Sequence, residues 1–247
     1  MPKNDPLSVQ RGDYGTNIGP NLLFTIGRAL TGPAQYLLIS AHPLSRFGLP
    51  PPPRGSTMTL LGHTFPRLPF FTALMPAVVS AKHVFWLNFL CRERVTRQFA
   101  VFAIVSDFVY ESVSSLVFTA AGVNPLFSER FFYAGTAIYM ASVAAELVAE
   151  LQRAAFKAKP ENRNKVCKSG LWRVSRHINY TANILYGFGY GLATGGPVYS
   201  IATAGMYISN FAFNAIPSLE RYCRGRYGED WKQYEREVPW KLFPGIY

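Results

Sequence analysis

Apolar runs about as long as a membrane crossing alternate along this chain with short polar or basic connections. Residues 69–90, 98–121 and 131–153 are continuous apolar segments. At about 1.5 Å per helical residue, each can cover the roughly 30 Å of a bilayer's hydrocarbon. Residues 21–41 are also apolar, but Arg28, Gly32 and Pro33 interrupt them, which is the pattern of a weak span, broken or interfacial. Residues 180–195 and 197–216 make a close apolar pair joined at Gly195-Gly196-Pro197. The basic connections at 91–97 and 157–176 alternate with less basic ones at 42–68 and 122–130. By the positive-inside rule this predicts an all-α, polytopic membrane helical bundle of about six transmembrane helices with both termini cytosolic. An amphipathic cytosolic tail, charged and rich in Trp and Tyr, follows from Pro217 to Tyr247. Residues 1–20, polar and rich in Gly, Pro and Asn, read as a flexible N-terminal arm, and 21–247 as a single membrane domain.

Composition sharpens this picture. Hydrophobic residues make up 49% of the 247 and charged residues 16%, against about 25% charged in ordinary soluble domains. A mean hydropathy of only +0.07 requires the polar residues to be segregated into loops and tails. The net charge of +11 would fit nucleic acid, but the basic residues cluster between apolar runs, so it reads as membrane topology and excludes nucleic acid as the partner. The N-terminus carries Lys3, Asp5, Arg11 and Asp13 and no early apolar stretch, so no cleaved signal peptide is expected. Cys91, Cys167 and Cys223 have neither metal-ligand spacing nor a disulfide framework, and no metal site is expected. No stretch marks an obligate protein partner.

Asp107, Tyr110, Glu111 and Ser114 fall at i, i+3, i+4 and i+7 on one helix face of the 98–121 span. Carboxyls inside a membrane segment are costly unless paired, hydrated or protonated. Tyr110, held and polarised by Asp107 or Glu111, is a candidate proton donor. The alternative is a structural polar cluster paired with Lys82 or Arg28. Glu146 and Glu150 share another face, with Glu150 reading as a surface acid. Gly187, Gly191 and Gly195, spaced by four, form a close-packing pattern rather than a phosphate loop. Between the basic loop and the apolar pair lies Gly170-Leu171-Trp172-Arg173-Val174-Ser175-Arg176-His177-Ile178-Asn179-Tyr180, running on to Asn183. It concentrates cations, amides and aromatics where the chain enters the membrane.

That stretch resembles the GLW-x-x-SRHPNY-x-GE signature of the steroid 5α-reductase superfamily, and more closely its bacterial and fungal branch. Glu150-x-Gln152-Arg153-x-x-Phe156-Lys157 resembles the acid-x-Q-K-x-x-F-K segment that precedes the signature. The tail is similar too, in Pro217-Ser218-Leu219-Glu220, in Arg226-Tyr227-Gly228-Glu229-Asp230-Trp231-x-x-Tyr234 and in Val238-Pro239-Trp240-Lys241-Leu242-Phe243-Pro244-Gly245-Ile246-Tyr247, an ending found also in Δ14- and Δ7-sterol reductases. The resemblance covers residues 146–247. It implies an internal, endoplasmic-reticulum-type membrane protein that uses NADPH to transfer hydride to an activated carbon–carbon double bond of a steroid, sterol or related lipid enone. The substrate would be a small lipid. Arg173, Arg176, Arg221 or Arg226 would meet the cofactor phosphates, Asn179 the nicotinamide, and Tyr180, Trp172 and Trp231 would supply aromatic walls, with His177, Asn183 and Tyr234 in the same cofactor site. Two positions depart from the signature. Ile178 stands where it has Pro, and Asn183 where it has an acid, leaving an amide that can donate and accept but carries no charge. Two other functions fit the same residues. One is an S-adenosylmethionine-dependent methyltransferase of the isoprenylcysteine carboxyl methyltransferase type, which shares R-H-P-x-Y. The other is a non-catalytic lipid-binding membrane protein.

Overall fold

The computed structural model describes residues 6–247, which are mostly helical. They divide into two compact units, one of residues 6–137 with Gly189–Ile201 and one of Ile138–Phe188 with Ala202–Tyr247. Residues 1–5 of the expected arm lie outside the described residues.

In the first unit the rest of the arm is tied down. Val9 is buried with Phe24, Leu87, Val95 and Ala100. The Gln10 and Gly15 amides donate to the Arg94 and Arg92 carbonyls, both at 3.0 Å, and the Arg94 amide donates to Asp13 at 2.8 Å. The 21–41 run is broken, as its Gly and Pro imply. It forms α1 (Ile18–Ala29) and α2 (Thr31–Ala41), of 12 and 11 residues, each too short to cross a bilayer alone. A short hairpin that the all-helical expectation does not include follows, β1 (Thr57–Leu60) paired with β2 (His63–Pro66). Its two-residue turn places both Leu61 (φ 51°) and Gly62 (φ 79°) in the left-handed region, and Leu61 tolerates this at an exposed loop tip. Then come α3 (Arg67–Phe85), extended by a wide turn to Leu90, and α4 (Arg97–Thr119), whose first turn is capped by Thr96 Oγ1 accepting from the Phe99 amide at 2.9 Å.

The three continuous apolar runs become the three helices that, among the described residues, are long and apolar enough to cross a membrane: Arg67–Leu90, Arg97–Thr119 and Glu129–Ala158, the last being α5. Of the predicted six spans, these three meet the requirement. The later pair is helical, as α6 (Ile178–Gly195) and α7 (Pro197–Asn210), but α6 carries Asn179, Thr181 and Asn183, and the 14 residues of α7 cover only about 21 Å. The glycine pattern of α6 is used for close packing. A Cβ on Gly187 would lie 2.5 Å from the Tyr207 ring, and Thr203 Oγ1 donates to the Gly187 carbonyl at 2.9 Å.

Polar side chains in the first unit are buried in matched sets. The Arg28 side chain is fully buried; its Nη2 lies 2.9 Å from Glu111 Oε1 and its Nη1 lies 3.4 Å from Asp107 Oδ2. Asp107 Oδ2 is also 3.4 Å from His83 Nδ1. Ser114 and Ser115 pair with the hydroxyls of Tyr199 and Tyr190 at 3.1 and 3.3 Å. Such pairing is what allows charges to persist among apolar helices.

The second unit continues from the later part of α5 through the 159–177 loop, into α6 and through the end of α7. A wide turn at Phe211–Ala215 then leads to α8 (Ile216–Tyr227), α9 (Glu229–Glu237) and the final segment. Its cores gather Val166, Cys223, Trp231, Tyr234 and Val238 in one cluster and Ile184, Phe211, Ile216 and Leu242 in another. The basic loop packs back on this unit: Asp230 Oδ2 accepts the Val166 amide at 2.6 Å, and Lys168 Nζ lies 2.8 Å from Asp230.

Removing one member of a buried ion pair strands the other and costs about 3–5 kcal/mol, whereas replacing both by apolar residues is often neutral. Arg28→Met or Glu111→Leu alone should therefore lower the melting temperature of the detergent-purified protein markedly. The Arg28→Met/Glu111→Leu double variant should recover most of the loss, as thermal unfolding will show.

Candidate functional site

The expected site residues fall into two groups. Tyr110, Asp107 and Glu111 belong to the first unit, and all the expected cofactor residues to the second. In the first group, Arg28, one of the two partners weighed from sequence, pairs with both carboxylates. The Tyr110 ring meets Tyr190 edge-on, with centroids 5.9 Å apart.

In the second unit the signature is built against α5. Gly170 adopts φ 62° and lies against the Gln152 side-chain amide so closely that any Cβ would collide with it. Gly170 is thus required twice, for its backbone angle and for the contact. Gln152 Oε1 accepts the Leu171 amide at 2.8 Å, and Trp172 Nε1 donates to the Ala149 carbonyl at 2.8 Å. Glu150 is buried rather than the surface acid its sequence suggests. Its Oε2 accepts from Arg153 Nη2 at 2.7 Å, and its Oε1 from Asn179 Nδ2 at 3.2 Å.

The start of α6 is fixed by the tail. The Arg176 and His177 amides donate to the Trp240 and Lys241 carbonyls, both at 3.0 Å, and Thr181 Oγ1 donates to the Leu242 carbonyl at 3.0 Å. This satisfies amides at the helix N-terminus, so α6 begins at Ile178 without the proline of the signature. Glu220 Oε1 accepts from Arg176 Nη2 at 2.9 Å and Nε at 3.3 Å, and lies 3.3 Å from His177 Nε2. Arg176 Nη1 donates to the Val238 and Pro239 carbonyls at 2.7 and 2.9 Å. Burial works to raise the Glu220 carboxyl, but the hydrogen bonds from His177 and Arg176 and the Arg176 charge outweigh it and hold the group at about 2. Burial lowers His177 below its ordinary value, against the pull of Glu220, which favours a neutral imidazole. Because a carboxylate only accepts, the neutral ring carries its proton on Nε2.

The expected cofactor residues therefore serve unequally. Arg176 and His177 are buried and engaged by Glu220 and the tail. Trp231 and Tyr234 sit in the core, with the Tyr234 hydroxyl donating to the Trp172 carbonyl at 2.6 Å. Tyr180 stacks on Phe211 at 4.4 Å and on His177 at 5.6 Å. Arg226 is exposed beside the Tyr227 ring, at 5.8 Å. Arg173 and Arg221 are exposed and have no ion pair among the described residues. Asn183 uses both ends of its amide: Nδ2 donates to the Asn179 carbonyl at 2.6 Å, and Oδ1 accepts from the Tyr186 hydroxyl at 2.8 Å. Asn179 Oδ1 is buried and has no hydrogen-bond partner among the described residues, the condition of an acceptor waiting for a donor. Sequence reasoning missed Glu220, Gln152 and the burial of Glu150, although all three stood inside the matched segments.

His177 and Glu220 both bind protons less readily in the fold than in the unfolded chain, so acid destabilises through both. The His177 contribution declines as pH falls below 6.5, where the unfolded imidazole protonates. The Glu220 contribution is complete above 4.5 and disappears as pH falls towards about 2. Melting temperature in detergent should fall in two limbs between about pH 8 and pH 3. His177→Gln should flatten the upper limb, and Glu220→Gln the lower.

Known proteins resemble the chain in two ways. A probable O-methyltransferase, ustE, of Ustilaginoidea virens is 27% identical over 237 residues, covering 88% of this chain and 83% of that protein. A probable 7-dehydrocholesterol reductase of Acanthamoeba polyphaga mimivirus is 37% identical over 84 residues, and the Delta(14)-sterol reductase ERG24 of Candida albicans 34% identical over 84; each match covers 34% of this chain. The chain spans 19% of the length of either reductase. A family model matches residues 87–238, more than half of the chain, so the protein belongs to the family described as protein of unknown function (DUF1295), which is steroid 5α-reductase-like.

Proposed function

We propose that the protein is a membrane reductase that binds NADPH in its second unit and reduces an activated carbon–carbon double bond of a steroid, sterol or related polycyclic or isoprenoid lipid. The observation that carries this reading is the charge balance of that unit. Arg173 and Arg221 are exposed cations without ion pairs among the described residues, whereas the carboxylates near the signature are neutralised, Glu150 by Arg153 and Glu220 by Arg176. Free cations suit a polyanionic dinucleotide phosphate. S-adenosylmethionine, with no phosphate and a net positive charge, would make less use of them. Asn179 Oδ1, buried and without a partner, suits a carboxamide N–H. The partial likeness to sterol reductases supports the same chemistry.

When bound, NADPH supplies a hydride. The chain's own residues hold and orient it: Arg173 and Arg221 neutralise phosphate charge, and Asn179 accepts from the carboxamide. In the first unit, Arg28 keeps Asp107 and Glu111 in place on the helix face that carries Tyr110. The membrane helices bring a lipid substrate to the protein from the bilayer, in an internal membrane with the basic loops on the cytosolic side.

A second reading, S-adenosylmethionine-dependent methyl transfer, is favoured by the match to the O-methyltransferase-named protein, which runs along nearly the whole chain. One titration separates them. Purified protein in detergent should bind NADPH in preference to NADH and show no affinity for S-adenosylmethionine; binding of the methyl donor alone would reverse the assignment. Arg173→Ala or Arg221→Ala should weaken NADPH binding by about tenfold or more, the scale of one charge-assisted contact.

A further inference from the structure

Position 183 carries no charge, yet a carboxylate does lie beside Asn179. It comes from α5. Glu150 Oε1 accepts from Asn179 Nδ2 at 3.2 Å, and the other oxygen, Oε2, takes Arg153 Nε and Nη2 at 3.2 and 2.7 Å. The Glu150 side chain is only 5% exposed, against 37% for Arg153. An ordinary i,i+3 surface pair leaves both partners in water and fixes little. Here the oxygen not facing Arg153 is turned to the amide of another helix.

That contact has a definite chemical consequence. An ionised carboxylate has acceptors and no donor, so the Asn179 amide must present its NH2 to Glu150 and cannot flip. Oδ1 is then fixed on the opposite branch of the amide, where it is buried and has no hydrogen-bond partner among the described residues. Asn183 does not supply one; its Nδ2 donates to the Asn179 backbone carbonyl at 2.6 Å. A buried amide oxygen held in one orientation with nothing donating to it is a site for an N–H donor.

Resting on the reductase reading above, we propose that Glu150 is a positioning residue: it locks the Asn179 amide so that Oδ1 accepts a hydrogen bond from the carboxamide NH2 of the nicotinamide, and it supplies beside Asn179 the carboxylate that position 183 lacks. Arg153 holds Glu150 in turn. Gln152, between them in sequence, fixes the Gly170–Leu171 turn that leads to Asn179.

The test compares NADPH with its 3-acetylpyridine analogue, in which a methyl ketone replaces the carboxamide and no N–H remains. Equilibrium affinities are measured on the full chain in detergent, with a melting curve for every variant. Wild type should bind NADPH about tenfold more tightly than the analogue, the scale of one well-made hydrogen bond. Asn179→Ala and Glu150→Ala should each bring that ratio to within about twofold. Glu150→Gln, whose oxygen can still accept from Asn179, should keep most of it. Should Glu150→Ala not fold, Glu150→Met with Arg153→Met removes both charges together and should also abolish the discrimination. A folded Glu150→Ala or double variant that discriminates like wild type would overturn the role of Glu150. So would wild type binding both cofactors equally. Failure of wild type to bind NADPH at all would instead overturn the reductase reading, and this inference with it.

Discussion

A single carboxylate, Glu220 on α8, sets the frame of the second unit. It is nearly buried, so it requires partners, and it takes them from Arg176 and His177, adjacent residues at the start of α6. Arg176 is then turned so that its remaining donors reach the Val238 and Pro239 carbonyls of the final segment. One ionic contact therefore binds three pieces of chain distant in sequence: the turn after the basic loop, α8 and the tail. Removing it would leave charges stranded on both sides. It would also release the tail carbonyls that cap the first amides of α6, and with them the helix start on which Asn179 sits.

Much of the signature consequently builds this frame and does not face a ligand. Gly170, Leu171 and Trp172 fit the turn to Gln152 and Ala149, Trp231 and Tyr234 fill the core, and Arg176 and His177 meet Glu220. What this frame leaves without partners among those expected site residues is small: an orphaned amide oxygen on Asn179 and, among the described residues, cations without ion pairs at Arg173 and Arg221. The spacing of the acidic, Gln and basic residues on α5 acquires a physical reason. Glu150 orients an amide, Gln152 receives a backbone N–H, and Arg153 neutralises Glu150, all within one turn of helix.

The long apolar runs were fully legible, since a stretch of membrane length that is apolar nearly throughout fits little besides a membrane span, and the three helices follow them within a few residues. The break in the 21–41 run was legible from Gly32 and Pro33. The hairpin at 57–66 was not, because its Leu61–Gly62 turn lacks the usual Asn-Gly or Asp-Gly pair and its strands are only 4 residues each. Arg28 was legible as one possible partner of Asp107 and Glu111, because a buried charge demands an opposite charge and few were within the apolar runs. Glu150 and Glu220 were misjudged or overlooked because nothing local marks them. The partners that bury them lie 29 residues away for Glu150, beyond its local pair with Arg153, and 43 to 44 away for Glu220, and only folding brings them together. A signature residue read in isolation looks like a ligand contact, whereas its burial decides whether it can be one.

Asn183 shows how such a departure is accommodated. Its amide donates to the carbonyl of Asn179 and accepts from Tyr186 at the same time. A carboxylate in that place could keep the second bond but not the first, because it has no proton to give and would set negative charge against a carbonyl oxygen at 2.6 Å. In this fold the amide is the better match to the space, and the acid beside Asn179 arrives from α5 instead. A carboxylate therefore lies beside the Asn179 amide although position 183 carries none. That separates two properties that the signature usually reports together, the identity of a residue at a position and the electrostatic field at the site it serves.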